Sequence, residues 1–451
     1  MFRRWSDEHG EPIVGRYFDY RGYHYAAFLP KSYCYSQRNA AFAVTALVLG
    51  VLLFFFAYVL VRLAKASANL ERMHAAAAAR TAADLALAKT IQMSVLPSCE
   101  GAFMDQLAFC FHAESVPARE VGGDFYDFYP VSGGRIIFLV ADVSGKGIPG
   151  ALFMMETKNI IKSSLMDSTD LAEAVTKANR RICESNQAEL FVTAWIGAVD
   201  PKSGVFEYVN AGHNRPFVRR ANGEIEKVMG KGGKFLGMFE HENYRAHAIK
   251  LERGDLVYLY TDGVTEAMNP KGEQFGEKRL CEVLREKPFS IDVALKTFVA
   301  DAPQSDDITG MMIYWNGLSS VQSRSFPVAD SSLASAVEFV RGALSLVDKK
   351  PTAELLNAAD EIVANIVSYS GAKEFGISVE KCRDRARLVF TDDGCAYNPL
   401  SHVDPDTSAP IEDRPIGGLG LVVVKRLVDR VQYARVDGRN ELTLIKKFQW
   451  T

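Results

Sequence analysis

Four short turns contain the acidic residues of this sequence that are best suited to bind metal ions. They read Gly122-Gly123-Asp124-Phe125-Tyr126-Asp127, Ala141-Asp142-Val143-Ser144-Gly145-Lys146-Gly147, Thr261-Asp262-Gly263-Val264 and Ser305-Asp306-Asp307-Ile308-Thr309. Two of them directly follow strand-like apolar runs, at 136–140 and 256–260. Carboxylates from several segments, without His or Cys, suit Mg²⁺ or Mn²⁺ rather than zinc. Two such ions about 3.5–4 Å apart can clamp a phosphate and activate a water for in-line attack.

The order of the four turns and their flanking sequence make the pattern specific, because a single Asp-Gly turn after a strand is usually only a turn. The stretch 91–315 also contains IQMSVLP at 91–97, FVTA at 191–194 and VNAGHN at 209–214. With these flanks it resembles the PPM-type (type 2C) serine/threonine protein phosphatases, in their bacterial SpoIIE-like branch.

The resemblance implies a metal site. Its ligands for two Mn²⁺ or Mg²⁺ ions would be Asp124, Asp142, the carbonyl of Val143, Asp262 and Asp306. Asp306 is preferred to Asp307 because it holds the position of the Asp in the family's Asp-Asn pair. No Ser or Cys nucleophile is then needed, because the activated water attacks phosphorus directly.

Other polar residues of these turns have simpler interpretations. Asp127 is expected to orient its loop, with a supporting role behind the metal ligands also open. His213 could act as a general acid, but a lone His in a glycine turn is more often a structural hydrogen-bonding group. Lys146 and Arg119 could meet a substrate phosphate or be solvated surface charges, and we leave them outside the predicted site.

A second constellation follows the polar break at 316–320. A predicted helix over 355–368 carries Glu361 and Asn365 four residues apart, on one face. A predicted strand at 386–391 leads into Asp392-Asp393-Gly394, and the glycine turn at 417–421 opens a helix that runs to Asp429. Such a turn exposes backbone N–H groups that can bind phosphate.

This set resembles the Bergerat-type ATPases, in the branch of RsbW-like anti-sigma-factor serine kinases. The resemblance implies that Glu361 is the general base. It also implies an ATP·Mg²⁺ site formed by Asn365, Asp392, Gly394, Gly418 and Gly420, with Asn365 on Mg²⁺ and Asp392 reading the adenine amino group. Cys395-Ala396-Tyr397 departs from the Pro-Phe commonly found in this position, which bears on ATP affinity and kinase turnover.

The elements that must position these residues begin with a membrane span. No charge occurs between Arg38 and Arg62, and the apolar run 41–61 is long enough to cross about 30 Å of hydrocarbon as a helix. We predict a short segment 1–40, a transmembrane helix 41–63 and a helical stalk 64–97 rich in Ala and Leu. The stalk could be a homodimer interface or a plain linker helix. His74 lacks the flanking pattern of a phospho-accepting His.

The two catalytic modules complete an α+β architecture. The resemblance implies a PPM-type α-β-β-α sandwich over 98–316 and a Bergerat-type α/β-sandwich ATPase domain over 326–451. Basic residues occur on both sides of the span, so the positive-inside rule only weakly favours an orientation with the C-terminal side in the cytoplasm. The need for ATP and phosphoproteins places the catalytic domains in the cytoplasm, on a single-pass protein of the inner (cytoplasmic) membrane. A net charge of −3 over 451 residues gives no reason to expect nucleic acid.

The combined hypothesis is a membrane-anchored regulator in partner-switching signal transduction. Its phosphatase would act on a phosphorylated STAS-type anti-sigma-factor antagonist, and its ATP-binding module would phosphorylate such a protein. The alternative is a non-catalytic, ATP-dependent clamp for a sigma factor or antagonist. A sensor histidine kinase is disfavoured by the missing phospho-acceptor pattern. A small-molecule metallophosphatase is disfavoured because the motifs match the protein-phosphatase branch.

Overall fold

The computed structural model describes most of the chain. The described residues are 5–6, 9–99, 102–103, 105–286, 288–317, 321–344, 349–382, 384–401 and 419–448. They fall into two compact units, Met1–Asp84 and Leu85–Thr451, of which the second contains both sets of candidate site residues.

The N-terminal unit opens with a small antiparallel sheet, for which the sequence analysis predicted no strands. Strands β1 (Trp5–Ser6), β2 (Pro12–Tyr20) and β3 (Tyr23–Pro30) pair in the order β1-β2-β3. Arg21 and Gly22 join the last two with φ values of 52° and 82°. Two consecutive positive φ angles are typical of the type I′ turn, whose twist matches that of the strands it joins.

Helix α1 (Lys31–Val95) covers the predicted transmembrane span and all but the last two residues of the predicted stalk, as one element of 65 residues. It begins ahead of predicted residue 41. It is long and apolar enough to cross a membrane, by length and composition. Its large apolar side chains between Phe42 and Val61 are exposed within the described fold, Phe54 at 77 %.

Two five-stranded antiparallel sheets follow. One contains, in spatial order, β10 (Ile225–Lys227), β9 (Phe217–Arg219), β12 (Leu256–Tyr260), β13 (Ile308–Trp315) and β4 (Phe109–Val116). The other contains β11 (His247–Lys250), β8 (Val205–Ala211), β7 (Val192–Val199), β6 (Ile136–Val143) and β5 (Phe125–Pro130).

The main core lies between these sheets and is strongly aromatic. Phe111 of β4 meets Phe128 of β5 with ring centroids 4.6 Å apart, and Phe138 of β6 at 5.3 Å. Phe138 is fully buried. Burial of one such ring stabilises the fold by roughly 1.5–3 kcal/mol, so the facing phenylalanines hold the two sheets together.

Helices cover both outer faces. Helices α2 (Ile148–Met166) and α3 (Leu171–Ser185) pack on the β5–β8 side through Ile161, Val175 and Ile182. Helices α4 (Asp262–Glu266), α5 (Gly276–Glu286) and α6 (Ile291–Val299) pack against the other sheet, where they share a second core with Tyr258 and Tyr260. The predicted α-β-β-α sandwich is confirmed.

The C-terminal domain is a separate layer of helices on one sheet. Its strands run in the order β14 (Gln322–Pro327), β15 (Glu374–Lys381), β16 (Arg385–Asp392), β18 (Arg439–Lys447) and β17 (Arg430–Val436), all antiparallel. Its helices are α7 (Asp330–Ala343), α8 (Lys349–Tyr369) and α9 (Leu419–Leu427). They bury a core of their own against the sheet, which confirms the predicted ATPase-type sandwich.

Candidate functional site

Antiparallel pairing brings the first two acidic turns together. Asp124 immediately precedes β5, whereas Asp142 lies one residue before the end of β6. The register pairs Phe125 with Ala141, so that the two aspartates lie next to each other at the same end of the sheet. One carboxylate therefore comes from the start of a strand and the other from the end of its neighbour.

The other two turns meet in the same way. Asp262 begins helix α4 two residues after β12, and Asp306 lies two residues before β13. The register pairs Tyr260 with Gly310, which places both aspartates at one end of this second sheet. The sandwich then sets the two sheet ends close enough for all four carboxylates to interact electrostatically.

Burial and mutual repulsion raise the pKa values of the cluster. Burial, and then the neighbouring Asp142, hold the pKa of Asp124 well above its usual range. Burial, and then Asp262, raise the pKa of Asp142 to about 7, and its carboxyl group is close enough to that of Asp124 to share a proton. Burial and then Asp306 also raise the pKa of Asp262. Converging carboxylates that resist ionisation are the electrostatic signature of a cation site.

The cluster is wider than the shell of a single ion. Within the described part of the chain, no three of these four aspartates have ligand oxygens all within 4.8 Å of one another. Asp306 forms an ion pair with Lys146, from Oδ2 to Nζ over 2.9 Å. Lys146 also donates to the carbonyl of Ser305 over 3.0 Å. A cation that binds Asp306 therefore competes with this lysine, which the sequence analysis left outside the site.

Asp307 has a different role from Asp306. Its Oδ1 accepts a hydrogen bond from the Ala118 N–H over 2.7 Å, and its Oδ2 accepts one from the Gly123 N–H over 2.6 Å. Asp307 is 8 % exposed. Both oxygens thus tie the turn before β5 to the turn before β13. The Asp306 carboxylate is instead held by the Asp307 N–H, over 2.9 Å to Oδ1, and by Lys146.

Glycine is required where these turns approach one another. A Cβ on Gly123 would lie 2.9 Å from the carbonyl oxygen of Val143, the predicted backbone ligand. A Cβ on Gly263 would collide with the carbonyl of Asp307. The acidic turns therefore pack backbone to backbone at these two glycines. A buried group of oxygen donors of this kind fits divalent Mg²⁺ or Mn²⁺.

Two residues that the sequence analysis did not single out support Asp124. Buried Thr261 donates its hydroxyl to Asp124 Oδ2 over 2.6 Å and accepts from the Thr309 N–H over 3.0 Å. Gln92, in the last turn of α1, forms two hydrogen bonds with the backbone of Gly122. Gln92 lies in the IQMSVLP motif and Thr261 in the TDGV turn. The two motifs therefore contain these residues but do not predict which residues they contact.

Asp127 and His213 are structural in this arrangement. Asp127 Oδ2 pairs with Lys158 Nζ of α2 over 2.6 Å, and both side chains are almost fully buried. His213 Nδ1 lies 2.7 Å from the Thr193 hydroxyl, and burial lowers the pKa of its imidazole to about 4. A neutral, buried imidazole is a hydrogen-bonding group at neutral pH and is poorly suited to donate a proton.

In the C-terminal domain the predicted base and metal ligand lie beside the start of α9. Glu361 and Asn365 project from α8 toward Gly420. A Cβ on Gly420 would collide with the Glu361 carboxylate and lie 3.7 Å from Asn365 Nδ2. The structure thus brings three of the predicted residues together. Gly418 lies outside the described residues.

Asp392 ends β16 in a buried position and is held by its neighbours. Its Oδ1 accepts hydrogen bonds from the Gly394 N–H over 2.9 Å and from Asn440 Nδ2 over 2.8 Å. Its Oδ2 accepts none from any residue that the structure describes. An oriented carboxylate with one oxygen available fits recognition of an adenine amino group. Asn440, which the sequence analysis missed, also bonds the carbonyl of Cys395.

Comparison with known families matches both domains. Residues 132–316 match the family model "Stage II sporulation protein E (SpoIIE)", and residues 326–446 match "Histidine kinase-like ATPase domain". The first match contains Asp142, Asp262 and Asp306. Asp124 precedes it and is connected to the site by its geometry alone.

Individual relatives agree with this division. The chain is 29% identical over 205 residues to the phosphoserine phosphatase RsbU of Bacillus subtilis. The aligned region covers 44% of this chain and 60% of RsbU. It is 31% identical over 90 residues to the serine/threonine-protein kinase BtrW of Bordetella bronchiseptica, covering 19% of this chain and 63% of BtrW. The chain thus spans less than two thirds of either relative.

A solved structure shows the same fold for both domains together. The crystal structure of the RsbU and RsbW domains of a Mycobacterium tuberculosis protein is similar with a TM-score of 0.53 at 20% identity. The similarity covers 75% of this chain and 92% of that one. Over residues 132–316 the central domain is thus similar to the SpoIIE-type domains of the PPM phosphatase class. It is joined to a histidine-kinase-like ATPase domain in the same chain.

Proposed function

We propose that this chain is a metal-dependent protein serine/threonine phosphatase that acts in partner switching on a phosphorylated STAS-type anti-sigma-factor antagonist. The convergence of four sequence-distant carboxylates at the ends of two packed sheets carries the proposal. They belong to Asp124, Asp142, Asp262 and Asp306. The similarity to RsbU supports a phosphoserine protein as the substrate class.

Each residue of the phosphatase site has a separate role in this proposal. Asp124, Asp142, the Val143 carbonyl, Asp262 and Asp306 would hold two Mn²⁺ or Mg²⁺ ions, which supply positive charge to the phosphate oxygens and an activated water. Thr261 holds the Asp124 carboxylate in place through its hydroxyl. Lys146, released from Asp306, is positioned to meet a phosphate at the rim of the site.

The test is dephosphorylation of a phosphoserine STAS protein by the full chain in detergent. We expect activity with Mn²⁺ or Mg²⁺ and none in excess EDTA. Asp142→Asn should remove most activity with the fold intact, because it deletes a charged ligand. Asp167→Asn, at an exposed pair with Lys177, is the matched control and should leave activity unchanged. Full activity in EDTA, or equal activity of the two variants, would refute the two-metal site.

The C-terminal domain, in our proposal, binds ATP·Mg²⁺ and phosphorylates a protein of the same class. Glu361 would accept the proton of the attacking hydroxyl, and Asn365 would contact Mg²⁺. The proximity of both side chains to Gly420, together with the similarity to the kinase BtrW, supports this assignment. The second candidate is an ATP-dependent clamp for a sigma factor or antagonist, which Cys395-Ala396-Tyr397 at the pocket favours.

One substitution separates kinase from clamp. Glu361→Gln should preserve ATP binding and lower phosphate transfer about 10²–10⁴-fold if Glu361 is a general base. The assay uses radiolabelled ATP and the full chain carrying Asp142→Asn, so that the phosphatase cannot erase the product. If the Asp142→Asn chain with Glu361 unchanged binds ATP but does not label the STAS protein, the domain is a clamp and not a kinase.

We also propose that α1 anchors the chain in the cytoplasmic membrane, with both catalytic domains in the cytoplasm and α1 available for homodimerisation. The support is the exposed apolar surface between Phe42 and Val61. Such a surface is costly in water and favourable in hydrocarbon. Extraction of membranes with alkaline carbonate should leave the full chain in the pellet. A chain lacking residues 1–84 should be released.

A further inference from the structure

Three metal-binding side chains converge outside the aspartate cluster, on the helix-covered face of the sheet that contains β4. They are His112 and Glu114 of β4 and Asp292 in the first turn of α6. One ligand atom from each lies within 4.8 Å of the other two. His112 Nε2 is 4.0 Å from Asp292 Oδ2.

The fold forces this convergence. His112 and Glu114 are two residues apart on a strand, so both point to the same face. Their neighbours Phe111 and Ala113 point the other way, into the core between the sheets. Helix α6 packs on the face that His112 and Glu114 share, which sets Asp292 against them.

A cavity of about 220 Å³ opens beside Glu114 and Asp292. Tyr258, Gly263 and Asp306 also line it. Tyr258 is only 4 % exposed, and its hydroxyl has no hydrogen-bond partner among the described residues. It leans over Gly310, where a Cβ would lie 2.6 Å from it. Because Tyr258 lines the cavity, its hydroxyl is available to a group bound there.

The charges lack a basic partner. Within the described chain, neither Glu114 nor Asp292 forms an ion pair with a Lys or Arg. Lys296, one turn further along α6, lines the same cavity without reaching either carboxylate. The contact between His112 and Asp292 is long and about half exposed, and such pairs contribute little. Two carboxylates thus approach each other with only an imidazole between them.

We propose that His112, Glu114 and Asp292 form a separate site for one divalent transition-metal ion, with Zn²⁺ preferred. One imidazole with two carboxylates suits Zn²⁺ or Mn²⁺, whereas the all-oxygen aspartate cluster suits Mg²⁺ or Mn²⁺. Ligand distances of about 2.0–2.2 Å place the donors of one ion about 3–4 Å apart. From separations of up to 4.8 Å, the ligand atoms therefore need to approach one another by about 1–2 Å, which partly exposed side chains can do. The Tyr258 hydroxyl is positioned to support a ligand carboxylate.

An ion at this site would connect the edge strand β4 to helix α6. Both elements form walls of the cavity that reaches Asp306 and Gly263. The ion would therefore stabilise the wall that the cavity shares with the aspartate cluster. It would do so without contacting the phosphate, so its binding is independent of the phosphatase reaction.

The experiment is calorimetric titration of the full chain in detergent with ZnCl₂ in excess Mg²⁺. Four proteins are compared: wild type, His112→Ala, Asp142→Asn and the double variant. Asp142→Asn disables the aspartate cluster, so we expect it to bind one equivalent of Zn²⁺ and the double variant to bind it at least about tenfold more weakly. His241→Ala, at an exposed histidine, is the matched control and should bind as wild type does.

The outcomes are decisive because the two sites are removed separately. The proposal is supported if His112→Ala loses one equivalent of bound Zn²⁺ both in the wild-type chain and in the Asp142→Asn chain. Glu114→Gln should have the same effect. Equal Zn²⁺ binding with and without His112 overturns it, as does absence of Zn²⁺ binding to Asp142→Asn. Circular dichroism identifies a misfolded variant, in which case His112→Gln, closer in volume, replaces it. The metal readout does not require activity, so failure of the phosphatase assignment would be distinguishable.

Discussion

Gln92 and Gly122 form a reciprocal pair of hydrogen bonds. Gln92 Nε2 donates to the Gly122 carbonyl over 2.6 Å, and the Gly122 N–H donates to Gln92 Oε1 over 3.1 Å. Gln92 is 5 % exposed and belongs to the last turn of α1. The turn that presents Asp124 is therefore held by the helix that precedes the domain.

Loss of this pair should weaken metal binding more than the fold. Gln92→Ala leaves a buried N–H and a buried carbonyl without partners, each at a cost of about 1–3 kcal/mol, and frees the turn before Asp124. We expect the Mn²⁺ concentration for half-maximal phosphatase activity to rise about tenfold. Ser94→Ala, on the same turn of α1 but exposed, is the control. An unchanged Mn²⁺ requirement in Gln92→Ala would contradict this role.

The metal should stabilise the protein more at high pH than at low pH. An unfolded Asp has a pKa of about 3.9, whereas that of folded Asp142 is raised to about 7. Without metal, the stability linked to this carboxyl is present below about pH 4 and is lost as the pH rises through about 7. Metal binding requires the ionised form, so its contribution grows over the same window.

Thermal unfolding with Mn²⁺ and with EDTA measures this difference. The increase in melting temperature on adding Mn²⁺ should be larger at pH 8 than at pH 5.5. Asp142→Asn, which cannot ionise at this position, should show a smaller and flatter dependence. A wild-type shift that is the same at both pH values would count against protonation of the cluster.

The buried pair between Asp127 and Lys158 should matter for stability rather than for metal binding. Asp127→Asn leaves the Lys158 charge buried without its partner, so the free energy of unfolding should fall by about 3–5 kcal/mol. Unfolding of the variants in urea measures this change in the free energy of unfolding. Asp127→Leu with Lys158→Met, which removes both charges, should recover part of the loss. Lys177→Ala, at the exposed pair with Asp167, should change it by less than about 1 kcal/mol.

The contact between α8 and α9 predicts the effect of a single added methyl group on nucleotide binding. Gly420→Ala would place its Cβ against the Glu361 carboxylate and close to Asn365, so ATP·Mg²⁺ should bind at least about tenfold more weakly. Gly342→Ala in α7, where a Cβ meets nothing within 4 Å, is the matched control. Calorimetry with ATP·Mg²⁺ decides it. Equal affinity of both variants would place the nucleotide elsewhere.

Much of the candidate site could be predicted from the sequence because motifs and strands are local features. The aspartate turns, the apolar runs of β6 and β12, and the spacing of Glu361 and Asn365 are all read from short windows. The hairpin at Arg21-Gly22 was missed because its strands are exposed and lack the alternation of a buried face. Thr261, Gln92 and Asn440 were missed as site residues because their importance lies in partners far away in the sequence.

The amino-acid sequence alone determined which residue types are available to hold metal and nucleotide, in what order, and on which kinds of element. Tertiary structure alone decided the partners of the adjacent aspartates: both Asp307 oxygens accept backbone amides, whereas Asp306 pairs with Lys146. It also decided that Lys146 pairs with Asp306 and that His112 lies beside Asp292. Side-chain partnership depends on strand register and on how the sheets and helices pack, and these are set by contacts between segments that are distant in the sequence.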